Sequence, residues 1–280
     1  MKNYAKTAVL LAGIGGIMIV LGGLFGGRTG MFIGLALGLA FVGFSYWNSD
    51  KLAIRAAKAV PADEAEMPEY FAIVRELAAK SGIPMPRLYI SPEMQPNAFA
   101  TGRNPEHAAV AVTQGILRVL TWEELRGVLA HELGHVKNRD ILISSVAAAV
   151  AMGITVIATM ARFAAIFGGR GNDRDGGNVF AMLAMAILAP LAAGILQAAL
   201  SRTREFEADA TGKALIGDGA PLASALAKIE AAATRVPMDI DPAHAQAFIV
   251  NPLTGRKVQF ANLFRTHPPT EERIARLTGR

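Results

Sequence analysis

The chain contains no cysteine. That absence excludes thiol catalysis, thiolate metal sites and disulfide stapling, and it fits a reducing compartment. Charge is scarce as well: 18% of the 280 residues are Asp, Glu, Lys or Arg, against roughly 25% in an ordinary soluble domain. The scarcity is local. Residues 7–27, 29–49, 141–161 and 176–201 carry no charged side chain at all, and the remainder holds charge at a soluble domain's density of roughly 25%. With 52% apolar residues, the composition is that of a soluble domain joined to membrane spans, which excludes collagen-like and disordered chains. The formal net charge of +5 comes with no basic run and no interleaving of aromatic and basic residues, so nucleic acid is not an expected partner.

A helix needs about 20 apolar residues to cross a hydrocarbon core, and all four charge-free stretches reach that length. The first, preceded by Lys2 and Lys6, reads as a retained signal anchor, because its apolar run is long and a second span begins straight after Arg28. Residues 168–177, rich in glycine and charge, form the turn between the third and fourth spans. Two hairpins place both termini and the central segment on one side of the bilayer. Every Lys and Arg except Arg28, Arg162, Arg170 and Arg174 falls on that side, so the positive-inside rule makes it cytoplasmic. Trp47 and Tyr46, at a span end, read as interfacial anchors.

The division expected is a transmembrane hairpin over residues 1–49, a cytoplasmic segment over 50–140, a second hairpin over 141–201 and a cytoplasmic segment over 202–280. Within the first cytoplasmic segment, residues 61–77 read as an amphipathic helix closed by Ser81 and Gly82. Residues 87–91, 97–102 and 108–113 read as short strands of a small sheet. Thr121-Trp122-Glu123-Glu124 has the capping-box pattern, and Leu125, Val128, Leu129, Leu133 and Val136 follow at helical spacing as a buried face. The fold class is therefore a mainly α membrane protein: four transmembrane helices plus a cytoplasmic α+β catalytic domain with a small sheet.

The chemistry lies on the capped helix, in His131-Glu132-Leu133-Gly134-His135. Residues i and i+4 stand one turn apart and about 40° apart around a helix, so both imidazoles reach one ion. Glu132 is turned about 100° from His131, toward a water beside the metal rather than the metal itself. Nitrogen and carboxylate ligands favour zinc. A catalytic zinc requires a third protein ligand and one open position. Glu205 and Asp209, one turn apart in the Ser201–Asp209 segment, offer two readings: Glu205 binds zinc while Asp209 accepts the outer N–H of a ligand histidine, or both acids pair with Arg202 and Arg204 on a solvated face.

The His131–His135 motif before a span, the pattern Ser201-Arg-x-x-Glu-x-x-Ala-Asp209 and Thr266-His267-Pro268-Pro269 together resemble the HtpX-type membrane zinc metalloproteases. These are gluzincin relatives of the CAAX prenyl proteases. The likeness covers nearly the whole chain, including the four spans and Pro96-Asn97-Ala98-Phe99. It implies a zincin-like catalytic domain with one zinc per chain, Glu205 as third ligand, and protein or peptide substrates. It also implies a multi-pass location in a bacterial-type inner membrane and a role in proteolytic quality control of misfolded membrane proteins under stress.

In that chemistry Glu132 is the general base. His267, stiffened by Pro268 and Pro269, is the candidate oxyanion donor; two other readings put it in the open zinc position or at the cap of a helix over 270–277. His107, His244 and Glu207 read as loop or surface residues, and Asp140 as a partner of Lys137 or Arg139. Strand addition at 97–101 or 109–113 is the expected mode of peptide binding. Competing functions are a non-proteolytic zinc-binding membrane scaffold, for which Glu132 would have no use, and a prenyl-protein-type protease. An intramembrane protease is disfavoured because Lys137, Arg139 and Asp140 follow the histidines within a few residues.

Overall fold

The computed structural model describes residues 16, 19, 23, 27–41, 43–44, 46–142, 202–235 and 268–279. His244, His267 and most of the first, third and fourth charge-free stretches lie outside them. The described residues between 27 and 47 are helical. Among the described residues no helix is long and apolar enough to cross a membrane.

After helix α1 (Ser49–Ala56) the chain forms β1 (Val60–Pro61), α2 (Pro68–Ser81), β2 (Arg87–Ser91), β3 (Ala98–Thr101), a 3-10 turn (Pro105–His107) and β4 (Ala109–Thr113). Helices α3 (Gln114–Val119), α4 (Trp122–Lys137), α5 (Arg202–Ile216), α6 (Ala220–Arg235) and α7 (Thr270–Thr278) follow among the described residues.

The sequence reading started the first amphipathic helix too early. Val60 and Pro61 instead pair antiparallel with Ile90 and Tyr89, and helix begins at Pro68, which needs no N–H at a first-turn position. It ends where Gly82 takes φ 70°, a left-handed conformation that closes helices at little steric cost to glycine. Tyr70, Val74, Leu77, Ala78 and Ser81 form its buried stripe.

The sheet order is β1-β2-β4-β3. β2 and β4 are parallel, with Leu88 opposite Val110, and β3 is antiparallel to β4, with Ala100 opposite Val110. Strand β4 is therefore central and wholly buried, and the expectation that it could serve as a peptide-binding edge is overturned; among the described residues β3 is an edge strand. The two-residue period of β4 sorts its side chains by size. Val110 and Val112 enter the main core with Tyr70, Leu77, Val128 and Leu129, while Ala109 and Ala111 meet Ile54 and Phe99 on the other face.

Helix α4 starts in a formed capping box: Thr121 accepts from the Glu124 N–H, and the Glu124 carboxylate accepts from the Thr121 N–H at 2.9 Å. Its apolar stripe, Leu125, Val128, Leu129, Leu133 and Val136, is at most 1% exposed. On the histidine-bearing face His131 is buried and His135 half-buried, because α5 lies across them. Two glycines permit that approach. A Cβ on Gly134 would stand 3.1 Å from the Ala208 carbonyl oxygen, and one on Gly212 would stand 3.0 Å from the His131 backbone nitrogen. Both distances are shorter than ordinary van der Waals contact, so the two backbones meet where side chains would hold them apart.

Candidate metal centre and active site

Helix α4 contributes His131 and His135 one turn apart, and α5 contributes Glu205 opposite them. One ligand atom from each lies within 4.8 Å of the others. The Nε2 atoms of the histidines are 3.2 Å apart, His135 Nε2 is 3.6 Å from Glu205 Oε1, and His131 Nε2 is 3.8 Å from Glu205 Oε2. Ligand atoms at tetrahedral zinc, bound at about 2.0–2.2 Å, stand about 3.3 Å from one another, so a small closure of Glu205 would complete the cage.

Each imidazole has a carboxylate on its far side. His131 Nδ1 meets Asp209 Oδ1 at 2.8 Å, and His135 Nδ1 meets Asp140 Oδ2 at 3.3 Å. A proton on each Nδ1 then leaves the Nε2 lone pairs directed at the common centre. The turn after α4, where Arg139 adopts φ 59°, brings the Asp140 carboxylate back to His135, a contact that the expected pairing with Lys137 or Arg139 did not include.

Sequence reasoning missed Arg273. On α7, only 1% exposed, it donates from Nε to Asp209 Oδ2 at 2.9 Å and from Nη2 to Asp209 Oδ1 at 2.7 Å. Its Nη2 also lies 3.4 Å from both ring nitrogens of His131, and Nη1 is 3.9 Å from Glu205 Oε2. The only hint in the sequence was its place in a short helix directly after the Pro268-Pro269 pair; nothing local distinguishes it from Arg276, which is exposed and pairs with Glu272.

Burial alone would raise the Asp209 carboxyl, but its bonds to His131 and Arg273 outweigh that and hold it down to about 2. Burial alone would lower His135; the bond to Asp140 and the charges of Glu205 and Glu132 outweigh it and push His135 up to about 9. The source is an excess of negative charge. Among the described residues around the centre, Glu132, Asp140, Glu205 and Asp209 are all buried, against two buried guanidiniums, Arg204 and Arg273. With neutral imidazoles that set carries two negative charges too many, the deficit a divalent cation closes. The donor set and the charge both fit zinc.

Glu132 is 6% exposed, and its Oε2 accepts the backbone N–H of Ala100 at 2.8 Å. That N–H points away from β4, so the carboxylate sits at the free edge of β3. Gly102, at φ 132°, ends that strand where a Cβ would stand 2.5 Å from the His107 carbonyl oxygen. Glu207 is exposed, and His107 lies exposed in its turn.

The pattern of Peptidase family M48 matches residues 64–280. A protein called protease HtpX homolog from Desulfatibacillum aliphaticivorans is 51% identical over 281 residues, spanning 100% of this chain and 90% of its own. One of the same name from Burkholderia mallei is 53% identical over 280 residues, spanning 99% and 96%. Among solved structures, the crystal structure of S. mikatae Ste24p superposes with a TM-score of 0.53 at 19% identity, over 99% of this chain and 65% of that one, a likeness of fold. The arrangement of His131, His135 and Glu205 is thus set within a chain that belongs to peptidase family M48, among its HtpX-type proteases.

Proposed function

We propose that the chain is a membrane-integrated, zinc-dependent endopeptidase that cleaves misfolded or damaged membrane proteins on the cytoplasmic side. The observation that carries the catalytic part is the convergence of His131, His135 and Glu205 beside a buried Glu132 on the sheet's free edge. The four charge-free stretches and the distribution of Lys and Arg support the membrane placement, and the family resemblance supports the quality-control role.

His131, His135 and Glu205 would hold the metal, with Asp209 and Asp140 orienting the two imidazoles. Zinc bound there supplies Lewis acidity, which acidifies water and polarises a carbonyl. An extended peptide adds to the outward-facing backbone groups of Ala98 and to the Ala100 carbonyl, the Ala100 N–H being held by Glu132, and those main-chain bonds bind it without demanding a particular sequence. Glu132 takes the proton of the attacking water and returns it to the leaving amine. His267 is proposed as a further donor to the developing oxyanion.

The test compares wild type with Glu132→Gln, each purified as the full chain with zinc and given an unfolded protein substrate. Cleavage by wild type and its loss in the variant, with zinc content equal, is the expected result; equal cleavage would sink the mechanism. A variant that keeps zinc while the wild type itself cleaves nothing would favour the scaffold reading. Cleavage confined to a farnesylated peptide would favour the prenyl-protein-type protease.

A further inference from the structure

An open cavity of about 590 Å³ lies outside the metal centre, where the helical residues ending at Trp47 meet the catalytic domain. Its volume is within the range of roughly 300–1,000 Å³ typical of ligand pockets. One wall is formed by Trp47 and by Asp50 and Lys51, the first charged residues after the second charge-free stretch; the opposite wall is formed by Arg87, Arg103 and the 3-10 turn carrying His107.

Charge in the cavity is uneven. Arg87 is committed to Asp50, with Nη2 to Oδ2 at 2.5 Å. Arg103 is half-buried and directs Nη1 to the Trp47 carbonyl oxygen at 3.5 Å, a long contact that leaves its remaining donors available. Lys51 is exposed and makes no ion pair among the described residues. Glu106 is the other acid in the lining and is exposed, so three cations stand against two carboxylates. His107 adds a ring whose Nδ1 is already engaged by Asn104 Oδ1 at 2.7 Å. Trp47 is 63% exposed and packs edge-on against Tyr46, with ring centroids 4.9 Å apart.

An exposed tryptophan at the end of a charge-free stretch marks headgroup depth, and uncommitted cations at that depth on a cytoplasmic face meet phosphate. We infer that this cavity binds the phosphodiester of an anionic phospholipid headgroup through Lys51 and Arg103, with Trp47 at the level of the glycerol. The site rests on the membrane placement proposed above. It would seat the catalytic domain against the bilayer at one side, well separated in sequence from the zinc ligands.

The full chain is purified in detergent, stripped of lipid and titrated with phosphatidylglycerol, bound lipid being counted by native mass spectrometry. Wild type is expected to hold one lipid at least tenfold more tightly than Lys51→Gln/Arg103→Gln, with zinc content unchanged between them. Arg103→Lys should keep most of the affinity, and the control Lys80→Gln/Arg118→Gln should keep all of it. Equal affinity in wild type and the double variant, or an equal loss in the control, overturns the site. Displacement of the lipid by inorganic phosphate at equal concentration overturns the lipid as source and assigns the cavity to a free phosphate ester. Carbonate extraction of wild-type membranes tests the placement separately: release of the chain overturns the placement, whereas retention with unchanged lipid affinity in the double variant overturns the cavity alone.

Discussion

Arg273 clamps Asp209 through two bonds, Nε to Oδ2 at 2.9 Å and Nη2 to Oδ1 at 2.7 Å, while Asp209 holds His131 at 2.8 Å. A guanidinium fork therefore fixes the carboxylate that fixes a proposed metal ligand. Lysine keeps the charge but cannot reproduce the paired geometry. Arg273→Lys should weaken zinc affinity or kcat/KM by about 10–100-fold, the usual cost of removing a group that orients a ligand histidine. Competition with a chromogenic chelator measures the affinity; an unchanged constant together with full activity refutes the linkage.

The Ala100 N–H reaches Glu132 Oε2 at 2.8 Å, tying the proposed base to the proposed substrate strand. Ala100→Pro removes that donor and one edge position at once, while proline remains tolerable on an edge strand. The expected result is a fall in kcat/KM of about tenfold or more with stoichiometric zinc retained. Unaltered peptide cleavage would rule out β3 as the docking edge.

Helices α4 and α5 approach closely only because position 212 lacks a side chain. A Cβ there would already stand 3.0 Å from the His131 nitrogen, and the further methyls of Gly212→Val must push α5 outward. Glu205 moves with it. Zinc retention after dialysis should drop well below that of wild type, and stability should fall by roughly 1–3 kcal/mol from overpacking. A variant that binds zinc as wild type does would show that the helix spacing is not what places Glu205.

Glu124 supplies a pH-dependent stabilisation away from the metal centre. Burial would raise its carboxyl, but Lys228, Ser224 and Thr121 outweigh that and bring it down to about 2. A carboxyl lowered by folding stabilises the fold fully above its ordinary value of about 4.3 and loses that contribution as pH falls toward the lowered one. Wild type should therefore lose stability between about pH 4.5 and pH 2 with an extra slope that Glu124→Gln lacks. At pH 7 the variant should be less stable by roughly 1–3 kcal/mol, the cost of leaving charged hydrogen-bond partners unpaired. Thermal unfolding of both proteins across this range measures the difference; parallel curves would contradict it.

Much of the centre was legible because its parts are local. The spacing of His131 and His135, the capping box at Thr121 and Glu124, and the stripe from Leu125 to Val136 all follow from helical periodicity over a few residues. The same holds for Glu205 and Asp209, one turn apart; there the residues alone allowed two arrangements, and the family likeness favoured one. Strands β2, β3 and β4 were readable from their β-branched and alternating residues, but not their order. Strand β1 was invisible: two residues carry no period, and Pro61 resembled a helix start.

What the amino-acid sequence determined by itself was the set of short-range devices: a histidine pair on a capped helix, an acid pair on another, and charge-free stretches that separate them. The tertiary structure decided everything that joins distant segments. It made β3 an edge strand by inserting β4 between β2 and β3, and it carried Arg273 across 64 residues to Asp209. The physical reason is that helix and strand periods constrain neighbours within a few positions, whereas contacts across such separations depend on how close two backbones can pack. Between α4 and α5, Gly134 and Gly212 set that distance.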